Sequence, residues 1–310
     1  MAVVLITGGT GLIGANLTRH LTAKKHEVII LSRDRSGKSE KPLVEYAHWN
    51  IDKQEIEENA LLKADYIIHL AGAGVMDKRW TKSYKEEILK SRTESSKLLV
   101  KSLQKLNHHV SGFISASAIG YYGADPKTMK DGGFIESDPP DNSFLGDTCV
   151  KWENSVEPVV QLGIRLCKLR TGIVLANNGG AYAEFKRPVN FGIAAILSTG
   201  KQVVSWIHID DLCRMYLHCI FNTAMEGAYN AVGPAPVTNK KLTLEIADAI
   251  RKKFYIPVHI PQFVLKLMLG QQSIEILKSA TVSSTKIYSV GFTFLYPTIE
   301  MAIAELTEKN

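Results

Sequence analysis

The 310-residue sequence predicts an α/β protein built on a doubly wound parallel sheet, and three observations carry that prediction. Short β-branched apolar runs alternate with amphipathic helical patterns through the first half of the chain, as in βαβ units. A glycine-rich loop follows the first apolar run, at residues 7–14. A hydrophobic content of 45% supplies a core for a chain of this length and excludes disordered and collagen-like proteins.

The predicted elements follow one another in alternating order. Apolar, β-branched runs predict strands over residues 3–6, 27–31, 66–70, 110–115, 166–175 and 228–232. Apolar residues spaced three and four apart predict helices over residues 12–24, 81–106, from near 152, 211–221, 243–253 and 261–269. Glycine and proline punctuate residues 177–200, so we expect the chain to leave the sheet there and to return near residue 206.

The loop TGGTGLIG at residues 7–14 lies between the first predicted strand and the first predicted helix, the context of a dinucleotide-binding fingerprint. One glycine allows the turn, one lets the backbone approach a pyrophosphate, and Gly14 lets the helix pack on the strand. The helix N-terminus adds free N–H groups and a positive dipole. We therefore predict a phosphate site at Gly8, Thr10, Gly11 and Gly14 in a Rossmann-type domain.

The end of the second predicted strand indicates which dinucleotide binds. An acidic residue there would bind the ribose 2′-hydroxyl of NAD, but the chain has Ser32 and Arg33, followed by Asp34. Arg33 can pair with a 2′-phosphate and lie against the adenine, so NADP is preferred to NAD. Three further cations lie on the same edge, Arg35, Lys38 and Lys41. The alternative is that Arg33 is only a solvated loop residue.

Asp52 follows the run Trp49-Asn50-Ile51 and is a candidate acceptor for the adenine amino group. The alternative for Asp52 is a helix cap. His208 with Asp210 and Asp211 invites a metal or acid–base interpretation. Their spacing does not match a zinc site, and either aspartate can cap the helix that follows, so no metal is expected.

Two interleaved domains are predicted. Residues 1–175, with the returning segment 206–232, form the NAD(P)-binding Rossmann domain, and residues 176–205 and 233–310 form a smaller α/β substrate-binding lobe. The N-terminus lacks a basic signal-peptide region and no window approaches about 18 apolar residues, so we expect a cytoplasmic protein with no membrane partner. The formal charge is +6 without a basic-aromatic module, so no nucleic-acid partner is expected.

Several short motifs carry a resemblance to a known family. LAGAG at 70–74, SAS at 115–117 before YYG at 121–123, and WIHIDD at 206–211 resemble the extended short-chain dehydrogenase/reductase superfamily, in its NAD-dependent epimerase/dehydratase group. Arg79-Trp80, Ser91-Arg92, Trp152-Glu153, the segment 236–239 and Gly291-Phe292 resemble its atypical YfcH-like branch, which has a C-terminal DUF1731 segment. The resemblance covers essentially the whole chain.

This resemblance implies a cofactor laid across the C-termini of the strands and a small C-terminal substrate lobe. It places Leu12 and Ile13 at the pyrophosphate through their backbone, and Leu70, Ala71 and Gly72 at the adenosine ribose. It also places Glu87 and Arg92 on the long helix that lines the cofactor, with Arg92 able to meet a phosphate. The alternative for Glu87 and Arg92 is a solvated helix face.

The catalytic motif of that superfamily is missing. Its Tyr-x-x-x-Lys pair would fall on Leu145 and Cys149, and Lys151 has Asp147 rather than a tyrosine four residues before it. Ser117 and Tyr122 remain as weak catalytic candidates, able to donate a hydrogen bond to a bound carbonyl. The alternative for Tyr122 is aromatic packing at a strand end.

Two functions follow from these predictions. The first is an NADP(H)-dependent oxidoreductase or epimerase acting on a sugar nucleotide or another small carbonyl or alcohol substrate. The second is a catalytically silent NADP(H)-binding protein that senses redox state or uses the cofactor as structure. The missing tyrosine and lysine favour the second, whereas an intact substrate lobe favours the first. Neither the substrate nor the oligomeric state follows from the sequence.

Overall fold

The computed structural model describes residues 1–34, 41–128 and 132–308. Its strands are β1 (Val3–Thr7), β2 (Glu27–Ser32), β3 (Val44–Asn50), β4 (Glu55–Ile56), β5 (Tyr66–His69), β6 (Gly112–Ala118), β7 (Arg165–Thr171), β8 (Ile173–Ala176), β9 (Ile193–Leu197), β10 (Val203–Val204), β11 (Trp206–His208), β12 (Gly227–Ala231), β13 (Val237–Thr238) and β14 (Ile256–Ile260). Its α-helices are α1 (Leu12–Ala23), α2 (Glu58–Lys63), α3 (Lys82–Lys105), α4 (Phe144–Val156), α5 (Gly180–Val189), α6 (Ile209–Phe221), α7 (Asn239–Arg251), α8 (Gln262–Leu269), α9 (Ser273–Leu277), α10 (Thr285–Ser289) and α11 (Ile299–Glu308).

The central sheet has the strand order β12-β7-β6-β5-β1-β2-β3-β4, and its pairs are parallel except for β3 with β4. The chain runs outward from β1 in one direction through β2 and β3, and then resumes on the other side of β1 with β5. In doubly wound sheets, ligands bind where the strand order reverses in this way, beyond the C-terminal ends of the strands. That crevice here lies beyond Thr7 and His69, which are paired in the ladder between β1 and β5.

Helices cover both faces of the central sheet. Helices α1 and α6 bury Leu17, Leu21, Leu212 and Met215 against one face. Helices α2, α3 and α4 contribute Leu61, Leu99, Leu103 and Val156 to the apolar cluster on the other face. The fully buried strands carry apolar residues on both faces, as expected for a parallel sheet between two helical layers.

The remaining strands form three two-stranded pairs, β8 with β11, β9 with β14 and β10 with β13. Helices α5, α7 and α11 pack beside them around Tyr182, Trp206, Ile246 and Ile303, which are almost completely buried. These elements form a second apolar core, on the side of the molecule that carries the C-terminal segment.

The predicted fold class is confirmed, and most predicted elements lie within a few residues of the observed ones. Two differ more. The helix expected from near residue 152 begins at Phe144, because Ser143 caps it by accepting a hydrogen bond from the Gly146 N–H at 3.3 Å. The strand expected over 166–175 is β7 and β8, separated at Gly172, where a Cβ would lie 2.5 Å from the Ser205 carbonyl oxygen.

The division of the chain at residues 175, 206 and 232 stays a prediction. Across the described ranges, no helix combines the length and apolar character needed to cross a bilayer.

Candidate functional site: a nucleotide cleft at the switch point of the sheet

The glycine loop makes a tight turn between β1 and α1. Gly8 adopts φ +67°, which favours glycine, and a Cβ on Gly14 would lie 2.4 Å from the Gly8 carbonyl oxygen. Gly11 precedes α1 and supplies no side-chain cap, so the first N–H groups of the helix, at Leu12, Ile13 and Gly14, are left for a ligand. Thr10 is exposed at the tip of the loop. The loop thus has the backbone geometry of a phosphate site.

A second loop, residues 70–72, is fixed beside the glycine loop by Thr7. The Thr7 hydroxyl oxygen accepts hydrogen bonds from the N–H groups of Leu70 (3.0 Å) and Ala71 (3.1 Å). The same hydroxyl therefore donates its proton to Nδ1 of His69 at 2.8 Å, and Nε2–H of His69 donates to the Ser96 hydroxyl at 3.0 Å. Burial lowers the pKa of His69 to about 3, so the ring is neutral.

Arg92 lies beneath the same loop. Its Nη1 donates to the carbonyl oxygens of Ala73 (3.0 Å) and Ile88 (2.8 Å), and its guanidinium carbon lies 4.9 Å from the Trp152 ring. A Cβ on Gly72 would lie 3.0 Å from that carbon, so Gly72 is the residue that leaves room for Arg92. Arg92 thus supports the loop at residues 70–72 from behind, and its phosphate contact stays a prediction.

Glu87 is on the solvent side of α3. It pairs with Lys78 at 3.4 Å, and both side chains are more than half exposed. This position matches the solvated-face alternative for Glu87. Arg92, by contrast, is not a solvated residue.

The end of β2 is the predicted site for the adenosine ribose. Ser32 is buried and its hydroxyl donates to the Asp34 carbonyl oxygen at 2.6 Å, while Arg33 is exposed. Arg35 and Lys38 lie outside the described residues, and Lys41 forms an isolated bridge with Val44. Asp52 is exposed in the turn after β3, and it does not cap α2, whose N-cap residue is Glu57.

A buried polar network lies at the C-terminal ends of β6 and β7. The Ser117 hydroxyl donates to Glu153 Oε1 at 2.7 Å, and Arg170 donates to both oxygens of Glu153 at 2.8 and 3.0 Å. Arg170 also donates to the Tyr122 hydroxyl oxygen at 2.9 Å, and Tyr122 in turn donates to Asn230 Oδ1 at 2.8 Å. The network therefore joins β6, β7, β12 and α4.

The electrostatics of this network keep Tyr122 protonated. Burial raises the pKa of Tyr122 to about 12, although Arg170 opposes that shift. Burial alone would lower the pKa of Arg170, but the hydrogen bonds and charge of Glu153 outweigh it and raise that pKa. Tyr122 is fully buried and its hydroxyl is engaged on both sides. A catalytic role for Ser117 and Tyr122 stays a prediction, and this geometry favours packing.

The two positions that would hold the superfamily's tyrosine and lysine lie beside the end of β6. A Cβ on Gly120 would lie 3.3 Å from Leu145 Cβ and 3.9 Å from Cys149 Sγ. Burial raises the pKa of the Cys149 thiol to about 12, so it is neutral. Lys151 points to the exposed side of α4 and pairs there with Asp147 at 2.6 Å. That Leu145 and Cys149 replace the usual proton-transferring pair stays a prediction; the structure has an apolar side chain and a neutral thiol at these two positions.

Sequence reasoning did not single out Arg170, Phe144 or Lys85, which lie near this site. The ring of half-buried Tyr121 lies 3.4 Å from the Arg170 guanidinium carbon, and Trp80 packs edge-on against Phe144 at 5.2 Å. Lys85 lies above the Phe144 ring at 5.0 Å. Strand β7 carries three cations, Arg165, Lys168 and Arg170, and cations inside a central strand are the signal that would have pointed to buried ion pairs.

The C-terminal segment closes one side of the cleft. Arg79, in the loop after β5, donates to the carbonyl oxygens of Leu267 (3.1 Å) and Met268 (2.9 Å) at the end of α8. Gln272 donates to the carbonyl oxygens of Val75 and Lys78 in that same loop. These contacts place the last third of the chain against the loop that borders the cleft.

His208, Asp210 and Glu305 bring potential metal ligands within 4.8 Å of one another. His208 caps α6 by accepting the Asp210 N–H on Nδ1 at 3.1 Å, so the prediction that Asp210 or Asp211 caps this helix is wrong. With Nδ1 accepting, the neutral ring carries its proton on Nε2, which donates to Glu305 at 2.9 Å. Neither ring nitrogen is then available to a metal.

Comparison with known proteins supports the dinucleotide-binding fold described above. Residues 4–144 match the NAD dependent epimerase/dehydratase family, and residues 260–306 match DUF1731, a domain of unknown function. An epimerase family protein of Staphylococcus aureus is 34% identical over 310 residues, covering 100% of both chains.

Two solved structures extend the comparison. The human epimerase family protein SDR39U1, determined with NADPH, matches with a TM-score of 0.85 and 26% identity over 99% of this chain and 100% of that one. A nucleoside-diphosphate sugar epimerase from Corynebacterium glutamicum matches with a TM-score of 0.76 and 30% identity, over 99% of this chain and 58% of its own. The resemblance found in the sequence is confirmed, and this chain belongs to the NAD dependent epimerase/dehydratase family.

Proposed function

We propose that this chain binds NADP(H) in the cleft beyond β1 and β5 and acts there as an atypical oxidoreductase or epimerase. The observation that carries the binding is the uncapped N-terminus of α1 behind a loop too tight for a side chain at Gly14. Such a helix end attracts a pyrophosphate through its free N–H groups and its dipole. The loop at 70–72, held by Thr7, borders the same cleft.

The choice of NADP(H) over NAD(H) rests on Arg33. The residue that follows β2 is a cation rather than the carboxylate that would bind an unmodified ribose, and it is exposed. Arg33 takes part in no ion pair with another described residue. A guanidinium in this position can bind a 2′-phosphate through two parallel hydrogen bonds. The human relative solved with NADPH supports the same choice.

The chemistry of the site follows from the residues that surround it. A bound nicotinamide would supply a hydride to, or take one from, a small carbonyl or alcohol substrate, such as a sugar nucleotide. Trp80, Phe144 and Tyr121 offer aromatic surface for that substrate near the end of β6. The proton is not handled by the usual pair, since Leu145 and Cys149 stand in its place.

The presence of Leu145 and Cys149 at these positions also favours a second candidate function, a protein that binds NADP(H) without catalysis. A neutral thiol with a pKa of about 12 and a leucine cannot act as general base near neutral pH. In this alternative the cofactor reports the redox state or stabilises the fold.

Binding and turnover separate these functions. We expect NADPH to bind at least ten times more tightly than NADH. Replacing Arg33 with alanine should weaken NADPH about 10- to 100-fold, through loss of charge-assisted hydrogen bonds, and leave NADH unchanged. Arg187→Ala, which alters an exposed arginine on α5, is the matched control. Isothermal titration calorimetry with NADPH and with NADH measures the affinities of wild-type protein and of both variants.

The turnover arm uses wild-type protein with NADPH and a panel of aldehydes, ketones and sugar nucleotides. Loss of nicotinamide absorbance, or epimerisation of a sugar nucleotide followed by NMR, supports the enzyme. Tight NADPH binding with no turnover across the panel supports the silent protein. Failure to bind either dinucleotide would overturn both.

A further inference from the structure

The small sheet of β9 and β14 leaves one apolar face uncovered. The ladder pairs Ile193 with Ile256, so these side chains lie next to each other on one face of the sheet, and Val258 lies on that face of β14 too. Ile256 is 69% exposed, and Phe254, just before the strand, is 85% exposed. Buried Ala194 and Ile196 point to the opposite face of β9. Single exposed apolar residues are common on protein surfaces, but several of them side by side are unusual and mark an interaction surface.

Along the chain, β14 leads directly into α8, which also exposes apolar side chains. Only Pro261 separates β14 from this helix. Helix α8 buries Leu265 but exposes Phe263 (71%), Leu267 (76%) and Met268 (61%). Ile274, in α9, is also mainly exposed. We call residues 249–274 the apolar segment. Its large apolar side chains face solvent, whereas those of α1 and α6 face the core.

Within its bounds the apolar segment carries only basic charges, and Asp248 and Glu275 lie directly before and after it. Residues 249–274 contain no aspartate or glutamate, and they contain Arg251, Lys252, Lys253 and Lys266. Arg251 is used internally, because its guanidinium donates to the carbonyl oxygens of Val189 and Asn190. The three lysines form no ion pair with any residue in the described ranges. Lys252 and Lys253 both adopt left-handed φ angles, +47° and +74°, where the chain turns from α7 towards β14.

We propose that the apolar segment docks on a membrane surface rich in anionic phospholipid. Aromatic and aliphatic tips beside unpaired lysines are the combination that inserts shallowly into a bilayer and meets anionic headgroups. Charge decides against a second copy, because an isologous contact would bring two such basic segments together. Strand addition is also disfavoured at Pro257. The Ile256 N–H bonds to Gly192 in the neighbouring loop, so Pro257 faces the free edge and has no N–H to donate.

The proposed contact is peripheral: the apolar segment would lie on the membrane surface, and no helix would cross the bilayer. The expectation of no membrane partner rested on the absence of a membrane-spanning apolar window, which does not bear on a surface contact. The segment borders the cleft through the Leu267 and Met268 carbonyl oxygens and through Gln272, which contact the loop after β5, and none of its residues has been assigned to cofactor binding.

Sedimentation of the full chain with vesicles tests the proposal. Wild-type protein should pellet with vesicles of phosphatidylcholine mixed with phosphatidylglycerol, less at high salt, and not with phosphatidylcholine alone. The double variant Lys252→Gln/Lys266→Gln should bind about 25-fold more weakly, from about 5-fold per lysine. Phe263→Glu/Leu267→Glu should lose at least about 100-fold, because two apolar side chains no longer insert.

Two control variants test whether the loss of vesicle binding is specific to the apolar segment. Lys101→Gln/Lys105→Gln removes two exposed charges from α3, and Val160→Glu charges an exposed apolar site far along the chain; both should pellet like wild type. Circular dichroism melting curves identify any variant that fails to fold, and Phe254→Glu then replaces it.

Two outcomes would overturn the proposal. One is that wild-type protein does not pellet with the anionic vesicles, or pellets equally after both segment substitutions. The other is a dimer in light scattering that Phe263→Glu/Leu267→Glu dissociates while vesicles show no binding, which would assign the segment to a second copy.

Discussion

Gly14 sets the geometry of the nucleotide cleft through the side chain that it lacks. Its Cα faces the loop so closely that a Cβ would lie 2.5 Å from Gly9 Cα. Because neither the strand end nor the helix start can move without disturbing the sheet, the loop can close only over glycine. The uncapped helix end that results is the part of the site available to a phosphate.

Replacing Gly14 with alanine should therefore displace the loop. We expect a loss of roughly 1–3 kcal/mol in the free energy of unfolding, as for other overpacked sites, together with at least tenfold weaker NADPH binding. Denaturant titration and calorimetry measure the two effects. Gly227→Ala is the control, because Gly227 has φ +76°, nothing within 4 Å of its Cβ position, and lies at the start of β12, away from the cleft. It should lose stability but keep NADPH affinity. Equal loss of affinity in both variants would contradict this account.

Among the elements, β1 and β5 are joined by more than their ladder. Thr7 at the end of β1 holds the loop after β5 through two backbone N–H groups, and His69 fixes the orientation of that hydroxyl. This arrangement needs a neutral ring, because Nδ1 must accept the Thr7 proton. The stability of the strand pair is therefore linked to pH.

The sign of this linkage follows from the pKa values. Burial lowers the pKa of His69 to about 3 from its ordinary value of 6.5, so below pH 6.5 the unfolded chain binds a proton that the folded chain does not. Stability conferred by the neutral ring is full above pH 6.5 and declines as the pH falls towards 3. Between pH 7 and pH 5 the expected loss is about 2 kcal/mol.

His69→Gln removes this titration. Urea unfolding at pH 7 and pH 5 should show a loss about 2 kcal/mol smaller for the variant than for wild type. The comparison isolates His69, because burial also lowers the pKa values of His26, His108 and His208, which remain in both proteins. His259→Gln, at an exposed histidine, should leave the wild-type pH dependence intact. The same slope for wild type and His69→Gln would disprove the assignment.

At the scale of the whole molecule, the ion pair of Arg170 and Glu153 connects the central sheet to α4. Both side chains are about 5% exposed, and Arg170 also reaches Tyr122, which is bonded to Asn230 on β12. Such pairs are costly to bury and costly to break, since removal of one partner leaves a charge without compensation. The pair thus makes the packing of these elements specific.

Replacing Glu153 with glutamine should destabilise the protein by roughly 3–5 kcal/mol, because Arg170 stays charged inside the fold. The double change Glu153→Met/Arg170→Met should cost less than Glu153→Gln alone, since no charge is left buried. Glu94→Gln, at an exposed pair with Lys97, should change the free energy of unfolding by less than about 1 kcal/mol. Guanidinium unfolding measures each value, and a Glu153→Gln cost as small as that of the control would refute the role of this pair.

The architecture could be predicted from the sequence because the patterns that indicate it are local. The alternation of strands and helices, the glycine loop and the absence of an acid after β2 are all visible within short windows, and the loop found by pattern is the loop that the structure places at the switch point. The prediction that Leu145 and Cys149 replace the tyrosine and lysine rests on the same kind of short window. These features depend on spacing and residue type, which the sequence contains directly.

Long-range contacts were decided only by the tertiary structure. Arg170 and Glu153 are 17 residues apart and Tyr122 and Asn230 are 108 apart, so no local pattern pairs them. Tyr122 was a candidate hydrogen-bond donor to substrate with aromatic packing as the favoured alternative, and folding buries its hydroxyl between two protein partners. The exposed face of β14 was invisible for the same reason, because the sequence of an apolar strand is the same whether or not another element covers it. The sequence determined the alternation of strands and helices and the glycine loop, because these depend on short windows, and the fold decided which polar and apolar groups remain available for contacts.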